Sequence, residues 1–409
     1  MTQISVHGLF PLICLTLILL VFTSAAVSAG EQINTLLIGM CTAYSRIIFE
    51  DEPLIDYTPV YIRGADWETM KRMVRTYFPR NYEAMQKYDY IYLNSPEYYV
   101  LTDEQDRWIY DRIVEGAGGM NDASVFSQIA QIHNAWANSM AQRAFPNDAP
   151  AVVAKHGGGE SLIEAHTVRI NMDFPDPVMT IFEPYDVEDV VGYTGRFVIA
   201  RQGAGILAYQ EGNHPSYSDV PYLVVWDYEE GRTMTCGSMI AYVTWLGRDN
   251  PYSPDIVVNM MLYTMRRDLI TDVDLFHALK ADFRGVRGKL SYLISVMNFV
   301  DRLGANVGRV QEGADTVQEY WERASDAYLE SDFDAAHELL QEGFEYLNRA
   351  EEIAIEEKNR AMLWIFVIEW LATAGTLFVS SFVVWSLMVR RRLYKAVETS
   401  RMSKVSESE

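Results

Sequence analysis

The chain has 409 residues, with 34 Lys and Arg against 56 Asp and Glu, a net charge of −22, and 49% of it is apolar. So acidic a chain repels nucleic acid and anionic lipid along most of its length, which excludes a polyanion-binding role for its bulk.

Phe10 to Phe22 is almost wholly apolar, small residues follow, and Val27-Ser28-Ala29 suits cleavage after Ala29. Residues 1–29 therefore read as a secretory signal peptide. The segment before Phe10 holds no Lys or Arg, which leaves an uncleaved N-terminal anchor as the rival reading.

Strands and helices then alternate. Thr35 to Met40 is a short apolar run of buried-strand type. Asp66 can cap a helix that runs to Phe78 and is ended by Pro79. Tyr90-Ile91-Tyr92-Leu93 is the next buried strand. Thr102 to Gln105 forms a capping box, opening a helix with Trp108, Ile109, Ile113 and Val114 on one side and a stop at Gly116. Gly118-Gly119-Met120 is a further strand. Such alternation predicts an α/β fold over residues 30–270: a wound, mostly parallel sheet with helices on both faces. From Ala151 to Gly237 strands dominate, at Val168–Met172, at Val178–Phe182, and in a hairpin of Tyr222–Trp226 and Arg232–Cys236 that turns through Asp227–Gly231. A helix near Ile256 to Arg267 closes the domain.

Several of these segments carry a resemblance. They are Tyr88-Asp89-Tyr90 with Leu93-Asn94 at the strand end, Leu101 to Gln105, Val114 to Gly119, and Pro221 to Arg232 followed by Trp245. Together they resemble the class I glutamine amidotransferase-like fold, in its trehalose-utilisation-type, membrane-linked branch, over roughly Ile33 to Leu269. The resemblance implies a Cys on a strand-to-helix elbow in active members, with His and Glu later. Here the elbow falls at Met120 to Ser124, where no Cys stands. None of His133, His156, His166, His214, His277 and His337 stands in a strand-end His-x-Glu context. That chemistry needs a thiolate beside an imidazole, so no glutaminase activity is expected. Ser124 could replace the Cys only with a base in reach. The blander reading has Asn121, Asp122 and Ser124 capping the next helix.

In open α/β sheets ligands lie outside the carboxyl ends of the strands. Those ends make Thr42, Asn94, Ser95, Asn121, Asp122 and Ser124 the candidate contacts for a polar ligand such as a sugar, against the reading of ordinary polar loop. His156 to Glu160 looks like a phosphate-cradling loop but lacks the Lys-Ser/Thr ending, and reads as a connector. His156, Glu164 and His166 have no tight ligand spacing, so neither metal nor cofactor is expected. Cys14 leaves with the signal. Cys41 and Cys236 could pair in an oxidising exterior or stand as buried free thiols.

From Ser291 onward strand patterns vanish. Leu290, Leu293, Ile294, Met297 and Val300 mark an amphipathic helix, interrupted at Gly304 to Gly308. Val310, Ala314, Val317, Trp321, Ala324 and Tyr328 then recur at spacings of 4 and 3. Ala336, Leu340, Gly343, Leu347, Ala350 and Ala354 do the same beyond Glu330-Ser331-Asp332. The pattern predicts an antiparallel helical hairpin within a stalk over residues 271–360. Its turn resembles that of a tetratricopeptide-type hairpin, but a single hairpin is no repeat array. The second helix meets no Pro or Gly from Ala350 to Trp364, so it should continue into the membrane.

Ala361 to Val389 contains one ionisable residue, Glu369, and its 29 residues exceed the ~20 that span a bilayer core. Counting back from Arg390-Arg391-Arg392 leaves Leu371–Val389 as the apolar span. Glu369 then sits at the outer interface between Trp364 and Trp370, rather than in a transport path. The positive-inside rule places the N-terminal domain outside and residues 390–409 as a short basic tail in the cytoplasm, too short to hold a signalling domain. A single-pass cell-membrane protein is expected. Its exterior part carries 28 basic and 52 acidic residues.

The functional expectation is a non-catalytic binding or interaction module. Its partner would be an envelope glycan, or a membrane protein that meets stalk aromatics such as Trp321. Membrane lipid is touched through the anchor, and nucleic acid is not a partner. The alternative is an extracytoplasmic hydrolase or carbohydrate-processing enzyme with a rearranged site near Asp122 and Ser124, which would need a base within ~3 Å.

Overall fold

The computed structural model describes residues 32–41, 43–122, 135–148, 165–193, 198–212, 219–302 and 307–406. The signal segment, Thr42, Ser124 and the His156–Glu160 loop lie outside them, as do Glu164, His133 and His214. In chain order the described elements are β1 (Ile33–Gly39), α1 (Ala43–Glu50), β2 (Ile55–Tyr61), α2 (Trp67–Tyr77), α3 (Tyr82–Met85), β3 (Tyr90–Asn94), α4 (Asp103–Val114) and β4 (Gly118–Asp122). There follow β5 (His166–Ile170), α5 (Pro177–Thr180), β6 (Gly205–Gly212), β7 (Val220–Tyr228), β8 (Gly231–Cys236), α6 (Ser253–Thr264), α7 (Val273–Arg302), α8 (Gly308–Leu329) and α9 (Phe333–Ser406).

The eight strands form one sheet in the order β2-β1-β3-β4-β8-β7-β6-β5. The first five run parallel, and β7, β6 and β5 add on antiparallel. This is the mostly parallel α/β sheet that the strand–helix alternation predicts. Two starts match their sequence signals. Asp66 accepts from the Thr69 amide at 3.0 Å to open α2. Thr102 and Gln105 complete their reciprocal capping box at α4.

The expectation for Val178–Phe182 is corrected. This run holds the single helical turn α5 instead of a strand. Asp176 accepts from the Val178 amide at 3.1 Å, and Pro177 occupies the first helical position with its φ already suited to it. Val178, Met179 and Phe182 are buried all the same, so a short apolar run could not tell strand from buried helix. Strand β2 gave no clear sequence signal. It is an edge strand whose centre, Tyr57 to Pro59, is half-buried throughout, and Pro59 is tolerated because only β1 pairs with it.

The chain divides into two compact units. One holds the chain through Arg284 together with Glu322–Leu340. The other holds Gly285–Trp321 and the chain from Gln341 on.

In the first unit, Leu36, Ile38, Ile91 and Leu93 of the parallel strands pack with Ile109, Ile113, Trp136 and Phe145. Residues 322–340 belong to this unit through a buried ionic cluster. Tyr328 donates its hydroxyl to Glu52 at 2.7 Å. Lys280 Nζ lies 3.0 Å from Glu52 and 3.4 Å from Asp255. His277 Nδ1 lies 2.8 Å from Asp255. Phe276, Phe283 and Phe333 ring Tyr328 at 5.3–5.9 Å between centroids.

In the second unit, the seam read from spacing is the buried one. Val310, Ala314 and Val317 of α8 are buried, as are Leu347, Ala350 and Ala354 of α9. A Cβ on Gly313 would stand 2.8 Å from the Ala350 Cβ, so the helices approach too closely for any other residue. Helix α9 runs 74 residues without a break, and its apolar stretch makes it long and apolar enough to cross a membrane. Within that stretch Thr373 and Thr376 donate to the carbonyls of Glu369 and Ala372, each at 2.8 Å, which leaves neither hydroxyl unsatisfied.

Candidate functional site

The strand order reverses between β1 and β3, because β2 lies to one side of β1 and the later strands to the other. The crevice at such a point is where the fold offers a ligand site. Here the two strand ends are stitched together. The Met40 amide donates to the Asn94 carbonyl at 2.6 Å, and Asn94 Nδ2 donates to the Met40 carbonyl at 2.6 Å. Asn94 Oδ1 accepts from the Tyr92 hydroxyl at 3.0 Å and from the Ile240 amide at 3.2 Å. Gly39 has φ +119°, and a Cβ there would stand 2.2 Å from the Asn94 carbonyl oxygen. Ser95, next along, has φ 53°, a left-handed conformation that costs a residue with a Cβ about 1–3 kcal/mol.

One strand over, β4 and β8 close a second polar cluster. The Thr235 hydroxyl donates to Asn121 Oδ1 at 2.5 Å and lies 3.3 Å from Asn147 Oδ1. Asn121 Nδ2 reaches Asn147 Oδ1 at 3.5 Å, and Gln142 Nε2 donates to the Asn147 carbonyl at 3.1 Å. Among the described residues Asn147 Nδ2 has no hydrogen-bond partner, although Asn147 is fully buried. Asp122 pairs in register with Cys236. Burial, and next the charge of Asp122, push the Tyr92 phenol well above its ordinary range.

The structure thus brings Asn121 and Asp122 together on β4, and Asn94 and Ser95 at the end of β3. All four are fully buried. Asn147, Thr235 and Tyr92 join them. Tyr92 lies two residues before Asn94 on β3 and so on the same strand face, whereas no spacing rule points to Asn147 or Thr235, which are brought in by a distant loop and by strand pairing. Cys41 and Cys236 are free thiols. Three strand spacings separate the ends of β1 and β8, roughly 14 Å against the ~7 Å limit for a disulfide, so the sheet order argues against the pairing. Burial pushes both thiols up to about 12, opposed at Cys41 by Arg46 and at Cys236 by hydrogen bonding from Ser238.

The described histidines serve elsewhere. His277 and His337 pair with Asp255 and Asp282, and His166 is buried beside Tyr222, with 5.6 Å between ring centroids. Among the described residues no group of three or more His, Cys, Asp or Glu could hold a metal ion.

No protein-family model matches the sequence, and no curated protein does. Among solved structures the chain is similar to the cytoplasmic protein STM3548 of Salmonella typhimurium, with TM-score 0.42 and 15% identity over 56% of this chain and 98% of that one. It is also similar to a thua-like protein of Parabacteroides merdae, with TM-score 0.32 and 13% identity over 57% of this chain and 90% of that one. Likeness at this level assigns neither activity, substrate nor site.

Proposed function

We propose that the α/β unit is a non-catalytic binding module that takes a polar ligand, an envelope glycan in the first instance, at the carboxyl ends of β4 and β8. One observation carries this reading. Asn147 Nδ2 is a fully buried donor with no partner among the described residues, in a cluster where the neighbouring amides and hydroxyl are engaged. An unmet buried donor costs about 1–3 kcal/mol, which a ligand carbonyl or hydroxyl oxygen would recover. The thiols support a role without chemistry. With their values near 12, neither Cys41 nor Cys236 supplies a thiolate at neutral pH.

The module belongs, in this proposal, to the trehalose-utilisation-type amidotransferase-like group. It is held outside the cell by α9 as a single-pass anchor, with residues 390–409 in the cytoplasm. Pairing with a neighbouring membrane protein through the helices is part of the same proposal.

A glycan-binding screen of the full chain in detergent tests it. Wild-type protein should capture a polar saccharide. Asn147→Asp exchanges the donor for an acceptor with little change of shape and should weaken capture at least tenfold. Because it buries a carboxyl it should also lower the thermal transition, so circular dichroism below that transition checks that the variant tested is folded. Capture that ignores Asn147→Asp, or no capture across the screen, would contradict the reading.

A further inference from the structure

We propose that the groove between α8 and α9 in the second unit is a phosphate-ester site. This proposal is independent of the role given to the α/β unit. The groove has a volume of about 290 Å³, close to the lower end of small-ligand sites. Its floor is the close approach of Gly313 and Ala350. Its charged walls are Arg309 and Glu312 from α8 and Arg349 from α9. These residues follow helical spacing on each helix, so each wall is one helix face.

Charge makes the groove unusual. The chain carries a net −22, yet the lining of this groove presents two guanidinium groups against one carboxylate, with Glu345 outside the lining as the partner of Arg349. Arg349 is also held in place. It stacks over Tyr346 at 4.9 Å, and Tyr346 stacks on Tyr320 at 5.3 Å between centroids and 24° between planes. Its contact with Glu345, at 3.2 Å through Nη2, lies on the surface and leaves other N–H donors for a ligand.

Two arginines from two helices suit phosphate better than carboxylate. A phosphate ester has enough oxygens to accept from two planar forks at once, whereas a carboxylate is satisfied by one. Glu312 supplies the opposite preference, an acceptor for a hydroxyl beside the phosphate. A glycerol phosphate or sugar phosphate meets both demands. The lower wall at Ile353 stands 18 residues above Leu371, where the apolar span begins, about 27 Å along the helix. A soluble ester is therefore the first candidate, and a lipid headgroup, which would have to be reached from outside the bilayer, the second.

Full-length protein in a phosphate-free maltoside detergent provides the test, in two arms. The soluble arm titrates glycerol 1-phosphate by calorimetry, with acetate as the control anion. In the lipid arm the same protein is moved from detergent into vesicles containing phosphatidylglycerol, and crosslinking of the α8–α9 groove to the headgroups is measured. Saturable binding in either arm should fall at least tenfold in Arg309→Ala and in Arg349→Ala. Arg349→Lys, which keeps charge and loses the fork, should recover only part of it. Arg46→Ala, on α1, should change nothing. Circular dichroism confirms that each variant is folded. Binding in neither arm, binding that acetate matches, or binding that survives the double Arg309→Ala, Arg349→Ala substitution would overturn the proposal.

Discussion

Tyr328 and Glu52 are 276 residues apart in sequence and joined by a 2.7 Å hydrogen bond, phenol to carboxylate, out of contact with solvent. Lys280 completes the arrangement by bridging Glu52 and Asp255. Removing one partner of a buried ion pair leaves the other charge uncompensated and costs about 3–5 kcal/mol. Lys280→Met, which takes from Glu52 and Asp255 the ammonium they share, should lower the stability of the full chain by that order. Tyr328→Phe deletes one bond to a charged group and should cost less, about 1–3 kcal/mol. Chemical denaturation in detergent measures both. A Lys280→Met chain as stable as wild type would show that the cluster is not buried as described.

The thiols give a pH dependence. Cys41 and Cys236 move from an ordinary value of 9.0 up to about 12 in the fold, chiefly through burial. Each therefore holds its proton more tightly folded than unfolded. The stability this contributes is whole below pH 9 and is lost as pH climbs from 9 toward about 12. Thermal transitions should decline across that window, and Cys236→Ala should flatten part of the decline. At pH 8 native protein should react slowly with a thiol reagent at the buried Cys236 and less slowly at the half-buried Cys41, and both should label promptly once unfolded. Fast native labelling of Cys236 would mean that this thiol is not buried.

Gly39 has no room for a side chain. Its φ of +119° and the 2.2 Å approach to the Asn94 carbonyl together make Gly39→Ala cost about 3 kcal/mol or more. Asn94→Ala removes the bridge from Met40 to Ile240 and should be of similar severity. Soluble yield and the unfolding midpoint report both substitutions. A well-folded Gly39→Ala protein would show that β1 and β3 are not closed against each other at this point.

Helix α9 should behave as one rod across its passage from bundle to apolar stretch. Spin labels at Glu345→Cys and Ile368→Cys, in a chain whose other cysteines are replaced by Ser, are 23 residues apart and should give one narrow distance of about 35 Å. A broad distribution would show a break between them. Lys358→Pro, which removes a helix hydrogen bond and clashes with the preceding turn, should create that broad distribution deliberately.

What the sequence made legible follows from range. Asp66, Thr102 and Gln105 act within one turn, so their capping roles could be read directly. The α8–α9 seam also showed, because Ala314, Val317, Leu347 and Ala350 repeat at helical spacing. The polar network at the strand ends did not show. Thr235 meets Asn121 across 114 residues and Asn94 meets Ile240 across 146, and no local pattern marks such pairs. Candidate residues Asn94 and Asn121 were found by their place at strand ends. Their hydrogen bonds tie strands to loops, a use the same positions give no hint of. Lys280 and Glu52 were invisible for the same reason, each being an ordinary charged residue until the fold buries it.

The central claim is that the α/β unit binds a polar ligand without transforming it. The most direct measurement is mass spectrometry of a captured glycan after prolonged incubation with the full chain. The account expects the glycan to be recovered with its mass unchanged, and its capture to depend on Asn147. Recovery of fragments that have gained water, at a rate abolished by Asp122→Asn in a folded protein, would contradict it and establish a hydrolase.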